Sequence, residues 1–213
     1  MRSDDHLNQA SPASRHALQQ PSGPKEGKPS GRWWVKKLVR RFPVIDVLRE
    51  DLRINGGLSK PGAQTLVFHR LANWAGSGEA PRVIGRPVSS FAVAGLHVSR
   101  LVYGIELPSG VTLGRRVRIV HQGGIVIHSD VVIDDDVLIR QNVTIGLRGD
   151  DDEGRPHDVP HIHRGVSLGA GAVVVGPIDV GQDALIGANA VVTRDVPAGG
   201  KVLAPRSEVS GPR

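Results

Sequence analysis

From residue 111 to residue 196 small aliphatic residues return at every sixth position, a period that matches neither the 3.6 of a helix nor the 2 of a strand. The anchors are Val111 and Val117, then Val131, Val137 and Val143, then Val166, Ala172, Ile178, Ala184, Ala190 and Val196. Two intervals depart from six. Fourteen residues separate Val117 from Val131, which hides one turn lengthened by two, and twenty-three separate Val143 from Val166, which requires an excursion. A second apolar residue stands two places after many anchors, as in Val111/Leu113, Val166/Leu168, Ile178/Val180 and Ala184/Ile186, and Gly114, Gly146, Gly169, Gly181 and Gly187 close such units.

A chain with this period winds as flat strands around a triangular prism, three hexapeptides to a coil, with each anchor pointing inward. One coil buries too little to be stable alone, so coils stack, share a core and saturate each other's backbone hydrogen bonds. A Val/Gly-rich sandwich gives no reason for five successive intervals of six between Val166 and Val196. Seven aromatic residues suit a narrow prism filled by Val, Ile, Leu and Ala. The absence of Cys excludes disulfides, Cys-based zinc sites and thiol nucleophiles.

Ahead of the repeat the composition changes. Residues 1–30 are rich in Ser, Pro, Gln and Gly and read as a disordered tail without a secretory signal. The net charge of +6 resides in residues 1–45, where nine Lys/Arg face three acids, while the remainder balances. The repeat therefore gives no reason to expect a nucleic-acid partner. Within residues 32–42, Trp34, Val35, Leu38, Val39 and Phe42 form one helical stripe ringed by Arg32, Lys36, Lys37, Arg40 and Arg41. That pattern suits peripheral contact with an anionic membrane surface, at the inner membrane of a cytoplasmic protein, or a short helix docking on its neighbours; the shortness of the stripe favours docking. Helices are expected over Val44–Asn55, stopped by Gly56-Gly57, from Pro61 through Trp74, and over Val88–Tyr103, together covering the first coil and offering a subunit-contact surface. The chain divides into the tail 1–30, a basic segment and α-helical domain 31–104, a β-helix 105–204 with a loop 147–161, and a tail 205–213.

Chemistry concentrates at two irregularities. The lengthened turn holds His121-Gln122-Gly123-Gly124. Glycine lets another molecule approach the backbone closely, and imidazole accepts a proton from a hydroxyl at neutral pH. Glu106 lies fifteen residues earlier, somewhat less than one coil, from where a carboxylate on the coil below could orient the ring. The excursion, rich in acids and with His157, His161 and His163 at its end, reads as a loop that walls a site.

IELPSGVTLG, HQGGIVI, NVTIG and VSLGAGAVVVGPIDVGQDALIGANAVVTRDVP, with DLRIN and FHRLANW before them, resemble the serine O-acetyltransferase family of acyltransferases, over about Asp51 to Pro205. The resemblance implies a left-handed parallel β-helix and direct transfer of acetyl from acetyl-CoA to a hydroxyl, without a metal. It implies that His121 is the general base and that an acid at position 106 orients it; the family has Asp there, this chain Glu106. It further implies that Gly146, Ala170 and Ala188, with Gly123 and Gly124, line the cofactor in a groove between prisms of a homotrimer, and it leaves open whether two trimers pair into a hexamer.

The departures concern the acceptor. Where serine acetyltransferases carry Arg-His-Pro, this chain has Asp158-Val159-Pro160, and His157 and His161 are out of register. An Asp is a poor partner for an amino-acid carboxylate. His157, Asp158 and His161 are the candidate acceptor-binding residues, and RQNVTIGLRGDD with Glu106 is more similar to the acetyltransferases of exopolysaccharide synthesis, so a sugar hydroxyl is expected ahead of L-serine. A zinc site of His121, His157, His161 and His163 gathered at a subunit interface, as in hexapeptide carbonic anhydrases, is the reading from another class.

Overall fold

The computed structural model describes residues 44–149 and 158–205. The tail 1–30, the basic stretch 32–42, His157 and the last eight residues lie outside the described residues.

Among the described residues three helices precede fourteen short parallel strands. Helix α1 (Val44–Ile54) carries Asp46 in its first turn and Arg53 in its last, and ends where Gly56 and Gly57 take positive φ. Helix α2 (Pro61–Gly76) begins on its proline. Helix α3 (Arg82–Tyr103) starts six residues before the expected Val88, with Pro87 inside it, and stops at the left-handed Gly104. The strands follow as β1 (Ile105–Glu106), β2 (Thr112–Leu113), β3 (Arg118–Val120), β4 (Ile125–Ile127), β5 (Val132–Ile133), β6 (Leu138–Arg140), β7 (Thr144–Gly146), β8 (His161–Ile162), β9 (Ser167–Leu168), β10 (Val173–Val175), β11 (Asp179–Val180), β12 (Leu185–Ile186), β13 (Val191–Val192) and β14 (Lys201–Val202).

They form three parallel sheets, one per side of a prism. Face A is β1-β4-β7-β10-β13, face B β2-β5-β8-β11, and face C β3-β6-β9-β12-β14. Through β13 successive strands move to the next face and every third returns one coil higher; an isolated bridge from Val196 to Val180 then stands on face B before β14 closes face C. The core is the predicted one: every anchor from Val111 to Val196 is buried, with Ile119, Ile133, Ile139, Val174 and Ile186 two places on. Leu66 of α2 joins the same core from below.

The register also corrects the loop. Pro160 is buried at the anchor position six before Val166, and Ile162 is fully buried two places later. A hexapeptide whose anchor is proline was invisible to a search for aliphatic anchors. His161 therefore belongs to β8, not to the loop, and His163 follows it on the prism.

The first coil has no coil beneath it, and the helices take that place. Asn55 accepts from the Ile119 N–H at 2.9 Å and donates to the Val117 carbonyl at 3.0 Å, as a neighbouring strand would. Arg70 donates to the carbonyls of Leu113 (2.7 Å) and Gly114 (2.5 Å), while its Nε holds Asp51 at 2.8 Å. Gly62 brings α2 against β3 so closely that a Cβ would lie 2.7 Å from the Ile119 carbonyl oxygen. Burial pushes the Asp51 carboxyl above its ordinary value, and Arg70 pulls it back.

His69, fully buried on α2, sits against the backbone of Pro108 and Val111. Burial and the neighbouring Arg70 drive its pKa down from 6.5 to about 3, so the folded chain keeps the ring neutral where the unfolded chain protonates it. Below pH 6.5 the unfolded state binds the extra proton, and folding stability falls as the pH drops toward about 3. The expected slope is at most about 1.4 kcal/mol per pH unit, read from urea unfolding across that window, and His69→Gln should remove this component even while lowering the baseline. Equal slopes in the two proteins would contradict a neutral buried His69.

Candidate active site

Two corners of the prism carry columns of left-handed backbone. Between faces B and C stand Arg116, Asp136, Gly165 and Asp183, and between faces C and A stand Gly124, Asn142, Gly171 and Asn189, all with φ between 56° and 74°. The columns hold together by hydrogen bonds from coil to coil: Asn142 N–H to Gly123 O, Gly171 N–H to Gln141 O and Asn189 N–H to Ala170 O, at 2.8 to 3.0 Å. Asn side chains lie over the glycines below, so that a Cβ on Gly124 would run into Asn142 Oδ1 and one on Gly171 into Asn189 Oδ1.

The two residues of the lengthened turn are added at the C-to-A corner of the first coil. An ordinary corner runs Arg140-Gln141-Asn142; here Val120-His121-Gln122-Gly123-Gly124 spans the same step. The extra length bulges outward. His121 is exposed at its tip with φ 58°, a left-handed conformation uncommon outside glycine and concentrated at functional positions. Gly104 at the end of α3 supports the bulge from below, its carbonyl accepting from the Ile125 N–H at 3.0 Å. A Cβ on Gly104 would stand 3.1 Å from Gly124 N.

Of the residues the sequence singled out, Gly123, Gly124, Ala170 and Ala188 share this corner ridge with His121. Gly146 does not. It ends β7 at the far edge of face A, where the Gly176 N–H donates to its carbonyl and the loop departs. Glu106 stands on face A, its register partner Val126 on the coil above, and its carboxylate pairs with Arg100 of α3 at 3.3 Å rather than with His121. Asp158 is half-buried where the loop returns to the prism. His161 and His163 stand on face B beside Asp134 and Asp179, while His121 stands on the C-to-A corner; the zinc reading gathers these histidines across a subunit interface, and His157 lies outside the described residues. Arg100, Asp134 and Asp179 were not foreseen; Asp134 and Asp179 precede no special motif, and only their alternation with buried Ile133 and Val180 marks them as outward-facing.

No family model matches the chain. Among curated proteins it is 41% identical over 167 residues to serine acetyltransferase of Synechococcus elongatus, covering 76% of this chain and 63% of that one. It is 33% identical over 161 residues to an Escherichia coli K12 protein bearing the name of a colanic acid biosynthesis acetyltransferase, WcaB, covering 75% of this chain and 96% of that one. The chain belongs to the serine acetyltransferase family. It spans less than two thirds of the Synechococcus relative and, at 61%, of serine acetyltransferase of Mycobacterium tuberculosis, to which it is 37% identical. Solved structures agree with the solenoid: serine acetyltransferase of Brucella abortus in complex with coenzyme A superposes with a TM-score of 0.60 at 27% identity, over 78% of this chain and 67% of that one. Soybean serine acetyltransferase complexed with serine gives 0.62 at 25% identity, over 76% and 67%.

The corner ridge makes a direct prediction. Gly124→Ala places a side chain at φ 63° and against Asn142, and should cost about 1 to 3 kcal/mol in denaturant unfolding; a wild-type midpoint would show that the ridge is not built as described.

Proposed function

We propose that the chain is an acetyl-CoA-dependent O-acetyltransferase that moves acetyl directly to a sugar hydroxyl of an exopolysaccharide or its precursor. The observation that carries this reading is His121, exposed at the tip of the corner that two extra residues widen, with Gly123 and Gly124 closing the bulge. The family supports acetyl transfer, and the Brucella abortus neighbour, in complex with coenzyme A, supports the donor.

In this mechanism His121 takes the proton of the acceptor hydroxyl as its oxygen bonds to the thioester carbonyl carbon. Collapse of the tetrahedral adduct breaks the carbon–sulfur bond, and the imidazolium returns the proton to the departing sulfur, giving ester and free thiol. Backbone groups along the ridge of Gly123, Ala170 and Ala188 line the donor's arm, and a backbone N–H there meets the developing oxyanion. Glu106 acts on the ring once the Arg100 pair gives way, and otherwise shapes the field beside it.

The sugar acceptor rests on Asp158 and Val159 where an amino-acid carboxylate would want a cation, and on the match to 96% of the relative named for colanic acid synthesis. L-serine, making O-acetyl-L-serine, is the second reading, favoured by the higher identity of the relatives named serine acetyltransferase. Assembly is proposed as a homotrimer, with paired trimers as the larger form. The apolar outer face of α3, with Val83, Phe91, Leu101 and Val102 all exposed, is the surface for contact between copies. Among the described residues no helix is long and apolar enough to cross a membrane. We place the reaction in the cytoplasm; the proposed peripheral membrane contact falls on residues 32–42, outside the described ones.

Free-thiol release from acetyl-CoA, measured against L-serine, homoserine, monosaccharides and nucleotide sugars, tests both acceptor and mechanism. Turnover is expected with sugars, and His121→Ala should lower it by about 10² to 10⁴ with folding intact. Release with L-serine alone would overturn the acceptor, and an undiminished His121→Ala rate would overturn the mechanism.

A further inference from the structure

Face B carries a second constellation, apart from the corner ridge that bears His121. In β8 the side chains alternate: Ile162 is buried in the core, while His161 and His163 point outward on the same side. The coil below contributes Asp134, whose N–H binds the Ile162 carbonyl at 2.8 Å, and the coil above contributes Asp179, in register with His161. Stacking therefore brings two imidazoles between two carboxylates from three successive coils.

The contacts are directional. His161 Nε2 lies 3.1 Å from Asp134 Oδ1, and His163 Nδ1 lies 3.5 Å from Asp134 Oδ2. The opposite nitrogens turn the other way: His163 Nε2 is 3.1 Å and His161 Nδ1 3.7 Å from Asp179 Oδ1. The rings stack at 4.0 Å between centroids, tilted by 31°. Each ring thus offers one nitrogen toward Asp134 and one toward Asp179.

We infer that Asp134, His161 and His163 form a divalent transition-metal site, for which Zn²⁺ is the matching ion. One donor atom from each residue lies within 4.8 Å of the other two. Four-coordinate zinc with bonds of about 2.0 to 2.1 Å sets its ligands about 3.3 Å apart; His161 Nε2 stands 3.1 Å from Asp134 Oδ1 and His163 Nδ1 3.5 Å from Oδ2, so the carboxylate closes on the ion by turning one oxygen toward both rings. Asp134 serves as the ligand because it is the more sheltered carboxylate, at 26% side-chain exposure against 53% for Asp179, and because both its oxygens face the rings. Asp179 then takes the role that carboxylates play behind metal-bound histidines, accepting from the His163 ring nitrogen that does not bind the ion and fixing its tautomer. Two imidazoles and a carboxylate suit zinc over magnesium or calcium, and the half-exposed rings leave a coordination position open to water. Main-chain hydrogen bonds to the coils on both sides hold all three ligands, so binding orders little that is not already fixed. The site involves neither His121 nor the ridge of Gly123, Ala170 and Ala188, and it stands whether or not the chain transfers acetyl groups.

The test is titration of the chelator-stripped full chain with ZnCl₂ by calorimetry, followed by gel filtration and elemental analysis. Saturation at one ion per chain is expected, with affinity weakened about 10- to 100-fold in Asp179→Asn and one-to-one binding lost in the doubly substituted His161→Ala, His163→Ala chain. No saturable uptake, or uptake unchanged in the double variant, would overturn the site and leave the four residues as an ion-pair ladder. Should the double variant fail to fold, X-ray absorption at the zinc edge of the loaded wild-type protein decides. Two imidazoles in the metal's shell are expected, and a shell without imidazole would overturn the assignment.

Discussion

A stacked solenoid lives or dies by its ends. In the interior every coil receives its hydrogen bonds from the coils on either side, so two-residue strands suffice, but the first coil exposes a full turn of unpaired N–H and C=O groups. Here side chains rather than a strand close that turn. Asn55 reproduces both bonds of a missing neighbour at β3, and Arg70, steadied by Asp51, caps the carbonyls after β2. Removing either leaves buried backbone groups unsatisfied at about 1 to 3 kcal/mol each. The charge on Arg70 has a further effect: together with burial it keeps His69 neutral, so one cation both closes the edge and sets the acid sensitivity of the helical cap.

That closure positions the chemistry. The last turn of α3 runs into Gly104, whose carbonyl pins Ile125 at the upper lip of the widened corner, and the bulge bearing His121 is thereby clamped between the helical domain and the second coil. The ridge above it repeats with the coil: Gly123, Gln141 and Ala170 each receive an N–H from the coil above. A long, narrow donor molecule and a repeating ridge of backbone have matching shapes, and the widened turn of that ridge lies where the reaction is proposed to occur. Face B, by contrast, gathers charge by simple superposition of outward residues, which is how Asp134, His161, His163 and Asp179 meet without any motif in the chain.

The prism was legible because its period is enforced by packing at every sixth residue, and inward positions tolerate little besides Val, Ile, Leu and Ala. Pro160 escaped for the same reason: it packs at an anchor position without belonging to that set, which moved His161 from loop to strand. His121 was legible because the two inserted residues disturb an otherwise strict count. Glu106 shows the limit of counting. Fifteen residues place it at the start of the coil whose last corner bears His121, but the ionic partner it takes, Arg100, comes from a helix whose end the repeat says nothing about. Gly146 shows a second limit, since position within a hexapeptide does not say which of the three faces the unit occupies. Contacts between coils, such as those of Asp134 and Asp179 with the two histidines, depend on the number of residues per coil and are scrambled by any excursion in between.

The central claim is that the widened corner holds His121 where a thioester meets an alcohol. A structure of the protein with bound coenzyme A measures this most directly: the account predicts the sulfur within about 4 Å of the His121 imidazole, with the pantetheine arm along the ridge of Gly123, Ala170 and Ala188. Coenzyme A seated on face B, or with its sulfur at another corner of the prism, would contradict it.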